Sequence, residues 1–224
     1  DNTIVGGLAG DALTDADFNT VVGTAALSAD TLGSRSTALG YGTLGSQNFT
    51  SATDTYNVAV GHSAGNAVTT GIKNTIIGGL AGDVLTDADY NVAVGYASLS
   101  EDHKGNKSVA IGALALQHQE FANSTDAHNT AVGYNAGNDI TTGTNNTFVG
   151  AESGGATDDG GNNVAVGKSA LSANCGDNNT AIGLEALRDT TSSLNTAIGK
   201  NSGNAITSGS KNTIIGSFTG NMNG

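Results

Sequence analysis

The chain contains no proline and no tryptophan, and only one cysteine and one methionine among its 224 residues. Proline is absent and glycine does not recur at every third position, which excludes a collagen triple helix. The single Cys175 excludes an internal disulfide framework. Five Phe and five Tyr are too few large rings to fill a thick core, whereas a thin core of Val, Ile, Leu and Ala is within reach. Eight basic residues are scattered against twenty acidic ones, for a formal net charge of −12. Phosphate binding needs clustered Lys and Arg, so nucleic acid is not an expected partner. No stretch approaches the roughly 18 apolar residues of a membrane helix, so no membrane insertion is expected of this segment.

What is abundant is glycine, 34 residues, together with Thr, Val and Ile. The β-branched content argues against disorder. It is organised as repetition: "NVAVGHSAGNAVTTGIKNTIIG" from Asn57 returns as "NTAVGYNAGNDITTGTNNTFVG" and again as "NTAIGKNSGNAITSGSKNTIIG". A five-residue phrase ending in glycine is found thirteen times, at Gly6, Gly23, Gly40, Gly61, Gly78, Gly95, Gly112, Gly133, Gly150, Gly167, Gly183, Gly199 and Gly216. These positions step by 17 in most cases, by 21 after Gly40 and Gly112, and by 16 after Gly167 and Gly183. A longer unit is written over the short one, because "NTIVGGLAGDALTDADFN" at Asn2 returns nearly unchanged as "NTIIGGLAGDVLTDADYN" at Asn74.

The columns of this alignment carry the physics. The first phrase position is Asn in eleven copies and Ser in two, Ser36 and Ser108. The second is Thr or Val, the fourth is always aliphatic and the fifth is always Gly. Three residues after that Gly comes Ala, Ser or Thr, through to Thr219. One residue further on, Gly and Leu follow a fixed order: Gly10, Leu27, Leu44, Gly65, then the same again. Short β-branched phrases between turn residues read as strands, and a helix would not carry Gly and Asn at this density. A coil of this length has a contour of roughly 55 Å, enough for two short strands and two turns, and neighbouring coils stack at about 4.8 Å.

The expected fold is therefore all-β, a parallel β-solenoid of about thirteen coils over 1–224, read as a single repeat domain. Its super-repeats span 2–73, 74–145 and 146–211, followed by a partial unit. Asn is expected at a left-handed corner, with its amides stacked in a ladder. Within each strand, positions two and four share one face and position three the other. Both faces are largely apolar, so one lines the coil and the other needs a covering partner. The pattern alone does not choose between them; with positions two and four inside, the outer ribbon is one of Ala, Ile and Phe. Self-association along the whole length is expected in either case.

The phrases "NTAIGKNSG", "NVAVGHSAG" and "SVAIGALAL" resemble the head repeat of trimeric autotransporter adhesins, the YadA-like head, which also occurs in phage tail fibres. The resemblance covers essentially the whole chain. It implies a left-handed parallel β-roll packed as a homotrimer. It further implies an extracellular role, as a structural or adhesive segment of a longer fibre that presents host-attachment sites. These coils are longer than is usual for that family, and no neck, coiled-coil heptad or membrane anchor is legible.

Some residues suggest chemistry, and each has a quieter reading. Paired Asp in "TDADF" and "TDADY", with Asp11 and Asp83 nearby, suggest a hard-cation site, but Asx-turn chemistry on a solvated edge is the favoured reading. His62, His103, His118 and His128 show no metal spacing, and Cys175 has no His in a neighbouring repeat. Glu152 and Glu185 lie two coils apart, a marginal span for a glycosidase pair. No six-residue acyltransferase repeat is present. No enzyme activity, cofactor or metal is expected. The two 21-residue coils carry the loops "SQNFTSATDTY" and "QHQEFANSTDAH", and Phe49, Tyr56, Phe121 and His128 are the candidates for contact with a host-surface glycan or protein receptor. The Thr column raises ice binding as the alternative, although its aliphatic companion points to burial or an interface.

Overall fold

The computed structural model describes residues 1–217. The small column's last member, Thr219, lies outside them. The protein is an all-β parallel solenoid in which each of thirteen coils contributes one three-residue strand. Contacts divide the chain into two compact units, Asp1–Ala110 with Glu120–Asp126, and Ile111–Gln119 with Ala127–Gly224.

In the first unit, Thr3–Val5, Thr20–Val22, Thr37–Leu39, Val58–Val60, Thr75–Ile77 and Val92–Val94 pair in parallel and in strict register. The second unit repeats the arrangement with Thr130–Val132, Thr147–Val149, Val164–Val166, Thr180–Ile182, Thr196–Ile198 and Thr213–Ile215. Register is fixed by sequence identity: Thr or Val stacks on Thr or Val, aliphatic on aliphatic. Among the described residues a second strand per coil forms only beside the 21-residue coils, where Gly33–Ser34 pairs Thr53–Asp54 and Gly105–Asn106 pairs Thr125–Asp126. Elsewhere the return path is made of turns rather than the second strand expected. Left-handed residues such as Ser169, Leu171 and Asn178 interrupt such a coil, and an extended strand cannot contain them.

Asparagine organises one corner, but not through the left-handed conformation expected of it. That conformation falls on the preceding residue, for example Phe18, Lys73 and Asn145 at φ 62°, 59° and 60°. The Asn side chain is buried and bridges coils. Asn74 Oδ1 accepts from the Asn91 backbone N–H at 2.9 Å, and its Nδ2 donates to the Ala88 carbonyl at 2.8 Å. The same two bonds recur at Asn19, Asn57, Asn91, Asn129, Asn146 and Asn163. The coil that Ser36 opens is a 21-residue one, and there a different set of partners takes over: Ser36 Oγ meets Thr55 Oγ1 at 2.6 Å and receives Gln47 Nε2 at 3.0 Å.

At the other strand end, the stacked glycines touch backbone to backbone. A Cβ on Gly61, whose φ is 135°, would lie 2.6 Å from the Gly78 carbonyl oxygen. The interior is packed by size exchange between coils. Phe148 is fully buried, and it occupies the space left by Gly154, where a Cβ would sit 2.5 Å from its ring. Where the column carries Leu instead, as at Leu27 and Leu44, the strand presents Val21 or Ala38. Those leucines are left-handed at φ 49° and 48°. That conformation costs roughly 1–2 kcal/mol per residue, offset by about 1.5–3 kcal/mol for burying the side chain.

Candidate functional site

Strand position three points inward, and positions two and four point out. Val21, Ala38, Ala59, Ile76 and Ala93 have no exposed surface in the first unit, nor do Ala131, Phe148, Ala165, Ala181 and Ala197 in the second. The outer ribbon is therefore not one of Ala, Ile and Phe. It is Thr or Val beside Val, Leu or Ile, with Ile77 exposed to 37% and Ile198 to 38% even mid-array. Small side chains can enter the coil because the thin interior has room for one large residue per level. Each unit thus presents a flat face, two side chains wide, with its members about 4.8 Å apart along the stack.

Two columns border this face in the first unit. Before the Asn come Phe18, Arg35, Tyr56, Lys73, Tyr90 and Lys107, all exposed, alternating aromatic and cation. Arg35 Cζ lies 4.8 Å from the Phe18 ring centroid and 5.9 Å from that of Tyr56. Lys73 Nζ lies 4.9 Å from the Tyr90 centroid and donates to its hydroxyl at 3.0 Å. Cation–π pairs at exposed sites contribute about 0.5–1 kcal/mol each. Arg35 also pairs with Asp54 at 2.9 Å, and Lys107 with Asp126. After the strand glycine come Thr24, Tyr41, His62, Gly79 and Tyr96, and the Tyr41 and His62 rings stack at 5.2 Å and 16°. The alternation was available in the sequence as a column of spacing 17 or 21, but its meaning depends on knowing that the column is exposed.

The four loop candidates separate. Tyr56 and His128 are exposed members of the column before Asn. Phe49 and Phe121 are only 6% exposed and turn into the protein. Their placement follows from a buried polar cluster that the sequence reading missed. Asp30 has no exposed surface; its Oδ1 accepts from the Gly33 and Phe49 backbone N–H at 3.0 and 3.4 Å, and its Oδ2 from Gln47 Nε2 at 2.5 Å. Asn57 Nδ2 in turn donates to Gln47 Oε1 at 2.9 Å. Asp102 holds Gly105 and Phe121 in the same way, at 2.9 and 3.3 Å. The signal in the sequence was the recurrence of Asp30 and Gln47 as Asp102 and Gln119 in the next super-repeat.

The Asp-rich loops are engaged locally. Asp17 Oδ1 accepts from the N-terminal ammonium at 2.9 Å and Asp89 Oδ1 from the Ile72 N–H at 2.8 Å. Among the described residues no group of three or more His, Cys, Asp and Glu is placed to hold a metal ion. Cys175 is buried, which pushes its thiol up from the ordinary value. No helix among the described residues is long and apolar enough to cross a membrane.

Asp83 has one carboxyl oxygen buried without a hydrogen-bond partner, and burial raises its pKa above the ordinary carboxylate value. A raised folded-state pKa means that the native chain holds its proton more tightly than the unfolded chain. Stability is then greatest below the unfolded value and falls as pH rises through the folded one. Asp83→Asn is expected to raise Tm at pH 7 and to leave it unchanged at pH 3. Calorimetry of the two proteins at both pH values checks this, and an equal difference at both would rule out the carboxylate as the cause.

No protein family model, curated protein or solved structure matches this chain.

Proposed function

We propose that this chain is a structural segment of a homotrimeric extracellular fibre, projecting or presenting host-attachment sites in a phage or viral tail fibre or a bacterial surface adhesin. The observation that carries the proposal is the flat face of Thr or Val and Val, Leu or Ile, which stays partly exposed from coil to coil. Regular apolar surface of this extent marks an interface. The partner with the same repeat spacing is another copy of the chain, and closed cyclic symmetry is the common way for copies to associate. Burying the remaining third or so of each Val or Ile is worth about 0.5–1 kcal/mol, small per coil but summed over many coils. The resemblance to YadA-like head repeats supports the number three and a left-handed roll. The proposed role is mechanical: stiffness, length and presentation.

Light scattering after size exclusion tests this. A mass three times that of the 22.0 kDa chain is expected. A monomer would end the proposal.

A second reading is favoured by one finding, that the Thr column lies on the exposed face. A monomer with this face free presents a flat, periodic array suited to ice. Thermal hysteresis and ice-crystal faceting would accompany the monomer mass in that case, and would be absent from a trimer whose face is covered.

A further inference from the structure

From Arg35 to Tyr96 the two columns that border the flat face match each other coil by coil. In the first unit, Arg35 shares its coil with Tyr41, Tyr56 with His62, Lys73 with Gly79 and Tyr90 with Tyr96. Opposite Tyr56 and Tyr90 stand an imidazole and a ring, and opposite the long Lys73 there is no side chain; Phe18, at the start of the column, stands opposite Thr24. Residues six apart across an extended strand are separated by roughly 20 Å, so the match does not arise from contact within one chain.

The border before Asn is also held under strain. Phe18, Arg35, Tyr56, Lys73 and Tyr90 have φ between 51° and 66°. The second unit fills three of its six such positions with Asn145, Asn162 and Asn178, a residue type that adopts this conformation readily, and the other three with His128, Leu194 and Lys211. Bulky residues held there without local need point to a role for the side chains themselves. Several rings have one face occupied along the stack, by Arg35 beside Phe18 and Tyr56 and by Lys73 beside Tyr90, and the Tyr41 and His62 rings stack on each other. Rings stacked in this way offer their edges to a neighbour beside the stack.

Cyclic symmetry about an axis parallel to the stack brings the border before Asn of one copy against the border after Gly of the next, at the same coil level. We propose that the Arg35, Tyr56 and Tyr90 edge of one protomer packs coil for coil against the Tyr41, His62 and Tyr96 edge of its neighbour, and that this contact sets the axial register of the assembly. The inference rests on the homotrimer proposed above. It supplies what the flat face lacks, since near-identical levels of Thr and Val do not distinguish one register from a slip of one coil. A one-coil slip would set Tyr56 against Gly79 and lose its aromatic contact.

The test uses the whole chain with paired cysteines. Tyr90→Cys with Tyr96→Cys places thiols on the two borders of one coil; Lys73→Cys with Tyr96→Cys offsets them by one coil. Within one chain both pairs are far beyond the Cα separation of roughly 7 Å that a disulfide can span, so any disulfide joins two copies. The buried native Cys175 does not compete. Each variant is sized by light scattering, oxidised with copper phenanthroline and run on a denaturing gel without reductant. The same-coil pair is expected to shift the denatured mass threefold, reversibly with reductant, while the offset pair stays at one chain. A native trimer in which the offset pair links, or in which neither pair links, overturns the register. A native monomer overturns the trimer itself.

Discussion

Asn57→Ala is expected to destabilise the first unit by about 3 kcal/mol or more, since each buried polar group left without a partner costs roughly 1–3 kcal/mol. The substitution removes one small side chain and strands three groups. The Asn74 N–H loses its acceptor at 2.9 Å, the Gly71 carbonyl its donor at 2.8 Å, and Gln47 Oε1 its donor at 2.9 Å. All lie where Asn57 and Gln47 have no exposed surface, so water does not replace them. The loss spreads, because Gln47 also holds Asp30, which holds Phe49. In a solenoid each coil is stabilised mainly by its neighbours, so a break at this level separates the coils on either side. Thermal unfolding is expected to begin about 6–12 °C lower and to broaden or split. Serine at this position is not expected to rescue it: Ser36 works in its own coil because Thr55 and Gln47 reach it, and Asn57 begins a 17-residue coil instead. An unchanged Tm would show that the Asn ladder carries little of the stability.

Ile77→Glu combined with Val94→Glu is expected to convert the proposed trimer into 22.0 kDa monomers without unfolding the chain. Ile77 is 37% exposed and Val94 is half-buried on the same outer face, so in the isolated chain both new carboxylates reach water. In a trimer sealed along this face, the two substitutions would place six carboxylates close together around the axis. Burying charges without partners costs several kcal/mol per ion, more than the face supplies in those two coils. Light scattering reads the mass, and circular dichroism and Tm read the fold. A double variant that remains trimeric and folded would place the seam elsewhere. The inward-facing pair Ile76 and Ala93 is the contrast: glutamate there is expected to unfold the chain whatever its oligomeric state.

The repeat sequence alone was enough to determine the solenoid, its thirteen strands and the stacked columns. Periods of 17 with Asn at one strand end and Gly at the other leave few alternatives once helix is excluded by composition. Even the exceptions carried meaning, since Ser replaces Asn in the two 21-residue coils. The large residues at position three fall in coils that carry Gly four places after the strand glycine, as with Ile4 and Gly10, Ile76 and Gly82, and Phe148 and Gly154. That exchange of volume was written in the columns and is a signal for which face points inward.

Only the tertiary structure decided the orientation of each strand and the fate of the loops. Alternation distinguishes two faces but not inside from outside when both are apolar, and here the outcome depended on volume shared between coils: Phe148 fits because Gly154 and Gly137, from different coils, leave it room. Phe49 and Phe121 look like exposed loop aromatics in the sequence. They are buried because Asp30 and Asp102, each one coil earlier, capture their backbone N–H groups inside the protein. A periodic sequence states which residues stack, because stacking is local from coil to coil. It does not state which way a strand turns, because that is settled by how side chains from several coils fill one enclosed space.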